Sequence, residues 1–184
     1  MTKNPPTSWP TDVLTLAIDI GGSGFKASVV NTQGVMTTER VRVDTPYPCT
    51  PERLVSTLDE LVRPLLDGVH RVSVGFPGLV RQGHVIEVPS LSRREYGGER
   101  DRDLADAWHG FDLAHALAGV FQLPTKVVND ADMQGCAVAQ GTGMEFVMTL
   151  GTGVGTALFN EGALLPHMEL SHGPFRDGMT FDIA

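Results

Sequence analysis

Cysteine is nearly absent from the sequence: Cys49 and Cys136 are the only two, and neither belongs to a CxxC pair or has a neighbouring histidine. Two cysteines are too few for a disulfide framework, and their surroundings exclude the common zinc and redox motifs. We therefore expect the chain to work in the reducing cytoplasm. Residues 1–12 are rich in Pro and Thr and lack an apolar stretch, so they predict a flexible tail and not a signal peptide.

Long apolar runs and an excess of basic residues are also missing. No stretch approaches the ~20 apolar residues of a membrane-spanning helix. The formal net charge of −8 argues against nucleic acid or an anionic membrane as the main partner, because both attract basic surfaces. With 184 residues, of which 41% are hydrophobic and 20% charged, the composition is typical of a globular protein with one core or two small lobes.

The common phosphate-binding motifs are absent as well. The sequence has no G-x-x-x-x-G-K-[ST], and neither of its two glycine-rich segments opens a clear amphipathic helix, as a P-loop or a dinucleotide fingerprint requires. Each segment lies instead between two apolar, β-like runs. The first contains Asp19, Gly21, Gly22, Ser23, Gly24 and Lys26, and the second contains Gly151, Thr152, Gly153 and Gly155.

These two segments predict turns that bind phosphate. Glycines between strands present backbone N–H groups with no Cβ atom to hold an anion away. Two such turns far apart suggest two lobes that grip one polyphosphate from opposite sides. The alternative is that both are ordinary hairpin turns in which glycine supplies a positive φ. Asp19 is expected to organise Mg²⁺ through water, or else to bond its own backbone as a turn residue.

The remaining pattern predicts a two-lobed α/β protein with mixed sheets. Strands are expected over residues 14–20, 25–30 and 36–43, before a helix that Thr50 caps and Pro51 begins. The charged run over residues 92–103 favours a solvated loop. Further strands are expected over residues 71–76, 85–88, 125–128, 146–150 and 154–160, and helices over 112–121 and 131–140. We assign residues 13–110 to an N-terminal lobe and residues 111–184 to the start of a second lobe.

Asn129 and Asp130 follow an apolar strand and precede a helix. Ligands of open α/β sheets bind at the carboxyl ends of strands. A carboxylate there can take a proton from a substrate hydroxyl, and an amide can both donate to and accept from sugar hydroxyls. Asp130 or Asp132 capping the helix is an equally good interpretation.

Two other segments have both functional and structural interpretations. Pro77 and Gly78 predict a rigid turn that exposes backbone to a small ligand, or an ordinary turn. Glu169 and His172 are spaced to chelate a metal or to hold vicinal hydroxyls, although a lone histidine is more often structural.

Taken together, these motifs occur in the order found in ROK-family sugar kinases, and the chain resembles that family over nearly all of its length after the tail. The matching motifs cover residues 19–26, 75–80, 128–132, 150–155 and 169–172. The likeness is greatest to the glucokinases that use polyphosphate or ATP. It implies the actin-like ATPase fold of hexokinases, with the sugar in the cleft between lobes, and a second lobe that is incomplete at Ala184.

The resemblance also implies roles for single residues. Asp130 would be the general base for the 6-hydroxyl of glucose or a related hexose. Asn129, Glu169 and His172 would hold the sugar ring, with Pro77, Gly78 and Ser90 also on the sugar side. The two glycine turns would cradle ATP or polyphosphate together with Mg²⁺. A homodimer is left open.

Three departures from the family pattern bear on function. Ser90 stands where relatives carry Asn, Ser171 replaces Gly in Glu-x-Gly-His, and the cysteine-rich zinc segment of many relatives is absent, so His172 is not assigned to zinc. Two alternative functions remain: a non-catalytic sugar-binding or regulatory protein on the same scaffold, and an actin-like phosphotransferase for a carboxylate or a larger substrate. The tail is too short and Pro-rich for the helix-turn-helix of ROK repressors.

Overall fold

The computed structural model describes residues 8–150, 154–170, 174–176 and 179–180, and these residues form α/β structure with mixed sheets, as the sequence predicts. Among them, no helix has both the length and the apolar composition needed to cross a membrane. The helices are α1 (Pro51–Val62), α2 (Arg102–Trp108), α3 (Leu113–Phe121) and α4 (Asp130–Cys136), with a 3-10 turn at Arg63–Leu65. The strands are β1 (Thr15–Ile20), β2 (Gly24–Val30), β3 (Val41–Asp44), β4 (Arg71–Phe76), β5 (Leu79–Arg81), β6 (His84–Glu87), β7 (Thr125–Asn129), β8 (Met144–Leu150), β9 (Val154–Asn160), β10 (Ala163–Leu164), β11 (Pro174–Arg176) and β12 (Met179–Thr180).

The chain packs into two compact units, Met1–Val128 and Asn129–Ala184. The first is built on a five-stranded sheet in the order β3-β2-β1-β4-β7, in which β1 runs antiparallel to β2 and parallel to β4. Leu16 and Ile18 of β1 are fully buried. Their burial fixes the register, because a slip of one residue would turn both side chains to the other face. That register sets Asp19 opposite Lys26 and beside Gly75.

Helix α1 begins where the sequence predicts. Thr50 Oγ1 accepts a hydrogen bond from the Arg53 N–H at 3.3 Å, which satisfies one of the unpaired donors of the first turn. Leu54, Leu58 and Val62, four residues apart, are fully buried in the core of the first unit. The apolar stripe of the helix therefore packs inward along its whole length.

The predicted strand over residues 36–43 is shorter in the structure, where β3 begins at Val41. Two threonines account for the difference. Thr37 Oγ1 donates to the Val29 carbonyl at 3.1 Å, and Thr38 Oγ1 accepts from the Val29 N–H at 3.0 Å. Side chains thus take part of the hydrogen bonding that a continuous ladder would supply.

The charged run at residues 92–103 is mostly irregular, as expected, but α2 begins inside it. Asp101 caps this helix, since its Oδ1 accepts from the Leu104 N–H at 3.0 Å. Trp108 at the far end is fully buried, with its ring centroid 5.5 Å from that of Phe76. An Asp followed by Leu104 and Trp108 at helical spacing is the signal that the sequence analysis missed.

Helix α3 and strand β7 pack with the first unit. Leu117 of α3 and Val127 of β7 belong to the same buried cluster as the apolar residues of β1 and α1. The first unit therefore extends to Val128, whereas the sequence analysis expected the second lobe to begin at residue 111. The change in composition before residue 111 marks an exposed stretch of one unit, because shared core packing continues beyond it.

The second unit contains α4 and the antiparallel hairpin of β8 and β9, to which β10 adds a third strand. Helix α4 packs on the face of the hairpin that carries Ala157 and Phe159. A Cβ atom built on Gly135 of α4 would lie 2.7 Å from Ala157 Cβ. The helix therefore lies as close to the hairpin as a glycine allows.

The opposite face of β8 exposes large apolar side chains. Successive strand residues point to opposite faces, and Met144, Phe146, Met148 and Leu150 are between 51% and 78% exposed. Within the described residues this face of the hairpin is uncovered. The other face carries Glu145, Val147 and Thr149, so the alternation predicts the strand, but its apolar face is the exposed one.

We predict that Gly135→Ala destabilises the protein. Forcing a methyl group into this contact costs about 1–3 kcal/mol, because it would lie 2.7 Å from Ala157 Cβ and 3.0 Å from the Phe159 ring. The gain in helix propensity, at most ~1 kcal/mol, only partly offsets that cost. The change is measured as the free energy of unfolding in urea.

Gly119→Ala is the matched control, since it is also a helical glycine and an added Cβ meets no atom within 4 Å. It is expected to be neutral or to stabilise the protein by up to ~1 kcal/mol. Equal stabilisation by both substitutions would contradict the close packing of α4.

Candidate functional site

The first glycine-rich segment forms the turn between β1 and β2. The Gly21 N–H donates to the Gly24 carbonyl at 3.0 Å and closes the turn. None of Gly21, Gly22 and Gly24 has a positive φ, so the alternative that glycine is needed here for that conformation is wrong. The absence of side chains makes room instead: a Cβ on Gly24 would lie 3.0 Å from both Arg42 Nε and the Val43 carbonyl oxygen.

Two N–H groups of this turn remain for an anion. Those of Gly22 and Ser23 make no hydrogen bond within the described residues. The adjacent carbonyls are tied by side chains, because Thr45 Oγ1 donates to the Gly21 carbonyl at 2.7 Å and Tyr47 Oη donates to the Gly22 carbonyl at 2.8 Å. These bonds hold the peptide groups of the turn in one orientation, which suits anion binding by backbone N–H groups.

Tyr47 joins this turn to the segment that carries Ser90. Its Oη lies 2.8 Å from the Gly22 carbonyl oxygen and 2.9 Å from the Ser90 carbonyl oxygen, so one hydroxyl proton serves both. Burial raises the pKa of Tyr47, which keeps the hydroxyl protonated. No sequence signal marks this residue, because a tyrosine in the loop between β3 and α1 belongs to no motif.

Pro77 and Ser90 lie together in the first unit. Ser90 Oγ is 3.5 Å from the Pro77 carbonyl oxygen, at the long limit of a hydrogen bond. Gly78 has a structural reason of its own: its N–H donates to the Phe76 carbonyl at 2.9 Å, and a Cβ there would lie 2.2 Å from the Glu87 carbonyl oxygen. The structure thus favours the ordinary-turn interpretation for Gly78 and brings Pro77 beside the predicted sugar-side residue Ser90.

Asp19 and Lys26 face each other across the first glycine turn. Lys26 Nζ lies 3.3 Å from Asp19 Oδ2, and the two side chains are 42% and 40% exposed. A pair this exposed adds little stability, but both charges stay accessible beside the turn. Within the part of the chain that the structure describes, no three His, Cys, Asp or Glu side chains are grouped to hold a metal. A single accessible carboxylate suits Mg²⁺ that keeps most of its waters.

Asn129 ends β7 and caps α4. Its Oδ1 accepts from the Ala131 N–H at 2.8 Å, and Asp130 Oδ1 accepts from the same N–H at 2.9 Å. The capping role that the sequence analysis offered to Asp130 or Asp132 is therefore centred on Asn129. Asp130 is only half-buried, so its carboxylate is fixed at the helix start while it stays open to a ligand.

Asp132 lies buried against His167, a residue that the sequence analysis missed. Asp132 Oδ1 is 3.1 Å from His167 Nδ1, and the two side chains are 4% and 3% exposed. His167 Nε2 lies 3.5 Å from Glu169 Oε2. Burial alone lowers the pKa of His167, but the hydrogen bond to Asp132 and the close negative charges of Asp132 and Glu169 raise it to about 9. At neutral pH the ring is therefore an imidazolium held between two carboxylates.

The second glycine-rich segment falls only partly within the described residues. Gly151, Thr152 and Gly153 lie outside them, as does His172. Gly155 belongs to β9, where an added Cβ would lie 2.4 Å from Thr149 Oγ1 and 2.6 Å from Ala131 Cβ. Gly155 therefore makes room for α4, and a contact between this segment and phosphate stays a prediction.

Known proteins are similar to this chain in both sequence and fold. The family model described as ROK family matches residues 15–169. The polyphosphate glucokinase of Mycobacterium leprae (strain TN) is 28% identical in an alignment 183 residues long that covers 91% of this chain and 52% of that protein. The N-acetylmannosamine kinase of Escherichia coli O157:H7 is 34% identical in an alignment 156 residues long that covers 82% of this chain and 49% of that protein.

A solved structure extends the likeness to three dimensions. The inorganic polyphosphate/ATP-glucomannokinase of Arthrobacter sp. strain KM superposes with a TM-score of 0.75 at 31% identity, covering 94% of this chain and 68% of that one. The chain thus has the actin-like ATPase fold of ROK sugar kinases. It spans about half the length of the curated relatives that it matches. Since the family model covers most of the chain and a solved relative shares its fold along nearly all of it, the chain belongs to the ROK family.

Proposed function

We propose that this chain carries the residues of a glucokinase-like enzyme that bind the hexose and the phosphoryl donor. The observation that carries the proposal is the arrangement around α4. The cap fixes a half-exposed Asp130 carboxylate at the start of the helix, and Asp132, two residues later, is joined through His167 to Glu169. The carboxylates of Asp130 and Glu169 both belong to the second unit, and two carboxylates can accept hydrogen bonds from a ligand with several hydroxyl groups.

In the proposed reaction, Asp130 accepts the proton of the 6-hydroxyl of the hexose. The sugar oxygen attacks the terminal phosphorus of ATP or polyphosphate, and the bond from that phosphorus to the bridging oxygen breaks. The products are the hexose 6-phosphate and a donor shortened by one phosphoryl group. Asn129, Glu169 and His172 hold the sugar ring, with Pro77 and Ser90 contributing from the first unit. Such a reaction depends mainly on positioning and on neutralisation of charge.

The donor phosphates bind to the two glycine-rich segments. The free N–H groups of Gly22 and Ser23 donate to phosphate oxygens, and Lys26 adds a positive charge beside them. Asp19 would hold a Mg²⁺ ion through water, and that ion would offset negative charge on the donor. Gly151, Thr152 and Gly153 supply the second set of backbone donors.

Relatives guide the choice of substrates to test. Those described above include a polyphosphate glucokinase, an N-acetylmannosamine kinase and a polyphosphate/ATP-glucomannokinase. Glucose is therefore the first sugar to assay, followed by mannose and N-acetylmannosamine, each with ATP and with polyphosphate. Cys49 and Cys136 are not joined in a disulfide, which suits a cytoplasmic enzyme.

We predict that Asp130→Asn lowers kcat by about 10²-fold or more, because the amide cannot accept the hydroxyl proton. The KM for the sugar should change little, since an asparagine still caps the helix and accepts hydrogen bonds. Sugar-phosphate formation in a coupled assay gives both constants.

Asp106→Asn, which removes a charge from the exposed surface of α2, is the control and should leave both constants unchanged. Wild-type rates in Asp130→Asn would rule out Asp130 as the base. Sugar binding without product from either donor would favour the non-catalytic alternative.

A second prediction concerns Tyr47. Tyr47→Phe leaves two partly buried carbonyls without their shared donor, which should cost about 1–2 kcal/mol of unfolding free energy. The loosened turn and Ser90 segment should also raise the KM values by roughly 3- to 10-fold, which corresponds to about 0.7–1.4 kcal/mol of lost binding free energy. Thermal unfolding and the coupled assay measure the two effects.

Tyr96→Phe makes the same chemical change at a tyrosine that is 70% exposed, so it should leave the unfolding free energy unchanged. If both variants behaved like the wild type, Tyr47 would not hold the turn and the Ser90 segment together.

A further inference from the structure

Residues 165–170, which follow β10 and include Glu169, have no regular secondary structure. Their backbone is fixed at two points. The Leu165 N–H donates to the Leu158 carbonyl at 2.9 Å, and Thr156 Oγ1 donates to the Met168 carbonyl at 2.9 Å. These bonds place the chain on β9, but they do not orient the side chain of Glu169.

His167 supplies a fixed point for that side chain. The ring is 3% exposed and lies between Asp132 Oδ1, 3.1 Å from Nδ1, and Glu169 Oε2, 3.5 Å from Nε2. Glu169 itself is 29% exposed, so its side chain contacts the buried ring and also reaches the surface. Since both ring nitrogens face carboxylates, the histidine is poorly placed to bind a metal.

The negative charge of the buried Asp132 side chain favours the protonated, cationic form of the His167 ring. A buried carboxylate such as Asp132 needs a positive partner, and Arg176 is the one Lys or Arg in the sequence of the second unit. Within the described residues, the titratable side chains in contact with His167 are the carboxyl groups of Asp132 and Glu169. Their effect on the pKa of His167, which they raise to about 9, agrees with this arrangement.

We propose that His167, anchored by Asp132, is a positioning residue that fixes the Glu169 carboxylate in the orientation that binds the hexose. This inference rests on the proposed function, because it assumes that Glu169 contacts the sugar. It goes beyond that function by assigning a role to two residues, Asp132 and His167, that need not touch a ligand. The anchor on α4 also ties Glu169 to the helix at whose start Asp130 lies.

The first test is a double-mutant cycle on hexose affinity, measured by calorimetry. Because each substitution removes the same charge-assisted contact, His167→Gln should weaken binding about tenfold. Adding His167→Gln to Glu169→Gln should cause little further loss. His115→Gln makes the same change at an exposed histidine of α3 and should leave affinity unchanged. Unaltered affinity in His167→Gln, or independent effects of the two substitutions, would overturn the inference.

The second test needs neither activity nor a His167 variant. Titration of the His167 ring by NMR in the wild-type protein should give a pKa near 9, and Glu169→Gln should lower it. A His167 pKa that does not respond to Glu169→Gln would overturn the inference even if the sugar binds. If no hexose binds to the wild type, the proposed function fails, and the titration still decides whether His167 holds Glu169.

Stability gives a further readout of the same ion pair. Because the folded state raises the pKa of His167 from its ordinary value of 6.5 to about 9, its charge stabilises the fold fully below pH 6.5. This contribution is lost as the pH rises through about 9. The difference in stability between wild type and His167→Gln should therefore shrink from pH 6 to pH 9.5, and a difference independent of pH would contradict a charged His167.

Discussion

The contact between Asp132 and His167 is the constraint on which the candidate site of the second unit depends. Both side chains are almost completely buried, and neither charge would be tolerated there without the other. The contact joins α4 to the irregular segment that carries Glu169. Asp130 at the helix start and Glu169 thus belong to one framework, although they lie far apart in sequence.

In the first unit, an uncharged side chain, Tyr47, has a similar role. The hydroxyl of Tyr47 bonds to carbonyls of the glycine turn and of Ser90, so one side chain holds together two segments with proposed roles in binding. In both units the proposed ligand-binding residues lie on turns or irregular segments, where the backbone alone does not fix a side chain. Residues just behind them supply the missing rigidity, as functional sites generally require.

Much of the architecture is predictable from local sequence signals. The alternation in β1 and β2 and the Thr50 and Pro51 start of α1 are local and strong, and the structure confirms them. The strand expected over residues 36–43 is shortened by threonine side chains, a competition that propensity does not reveal. The boundary between units depends on whether α3 and β7 share a core with β1, which only packing decides.

In the candidate site, too, some residues have a local sequence signal and others depend on contacts that only the structure shows. Asp19, Asn129, Asp130 and Glu169 are visible in the sequence because they belong to ordered motifs. Tyr47 and His167 are not, because each acts through contacts with segments distant in sequence or with a buried partner. The glycines are visible, but their structural roles differ: Gly78 and Gly155 make room for neighbouring segments, while Gly22, next to Ser23, lies where the turn leaves N–H groups available.

The most direct test of the central claim is a crystal structure of this chain with a bound hexose. The account predicts the 6-hydroxyl within about 2.6–3.2 Å of the Asp130 carboxylate. It also predicts ring hydroxyls on Glu169, with the Asp132, His167 and Glu169 contacts retained. A sugar bound away from Asp130, or bound beside it with Glu169 turned away from His167, would contradict the account.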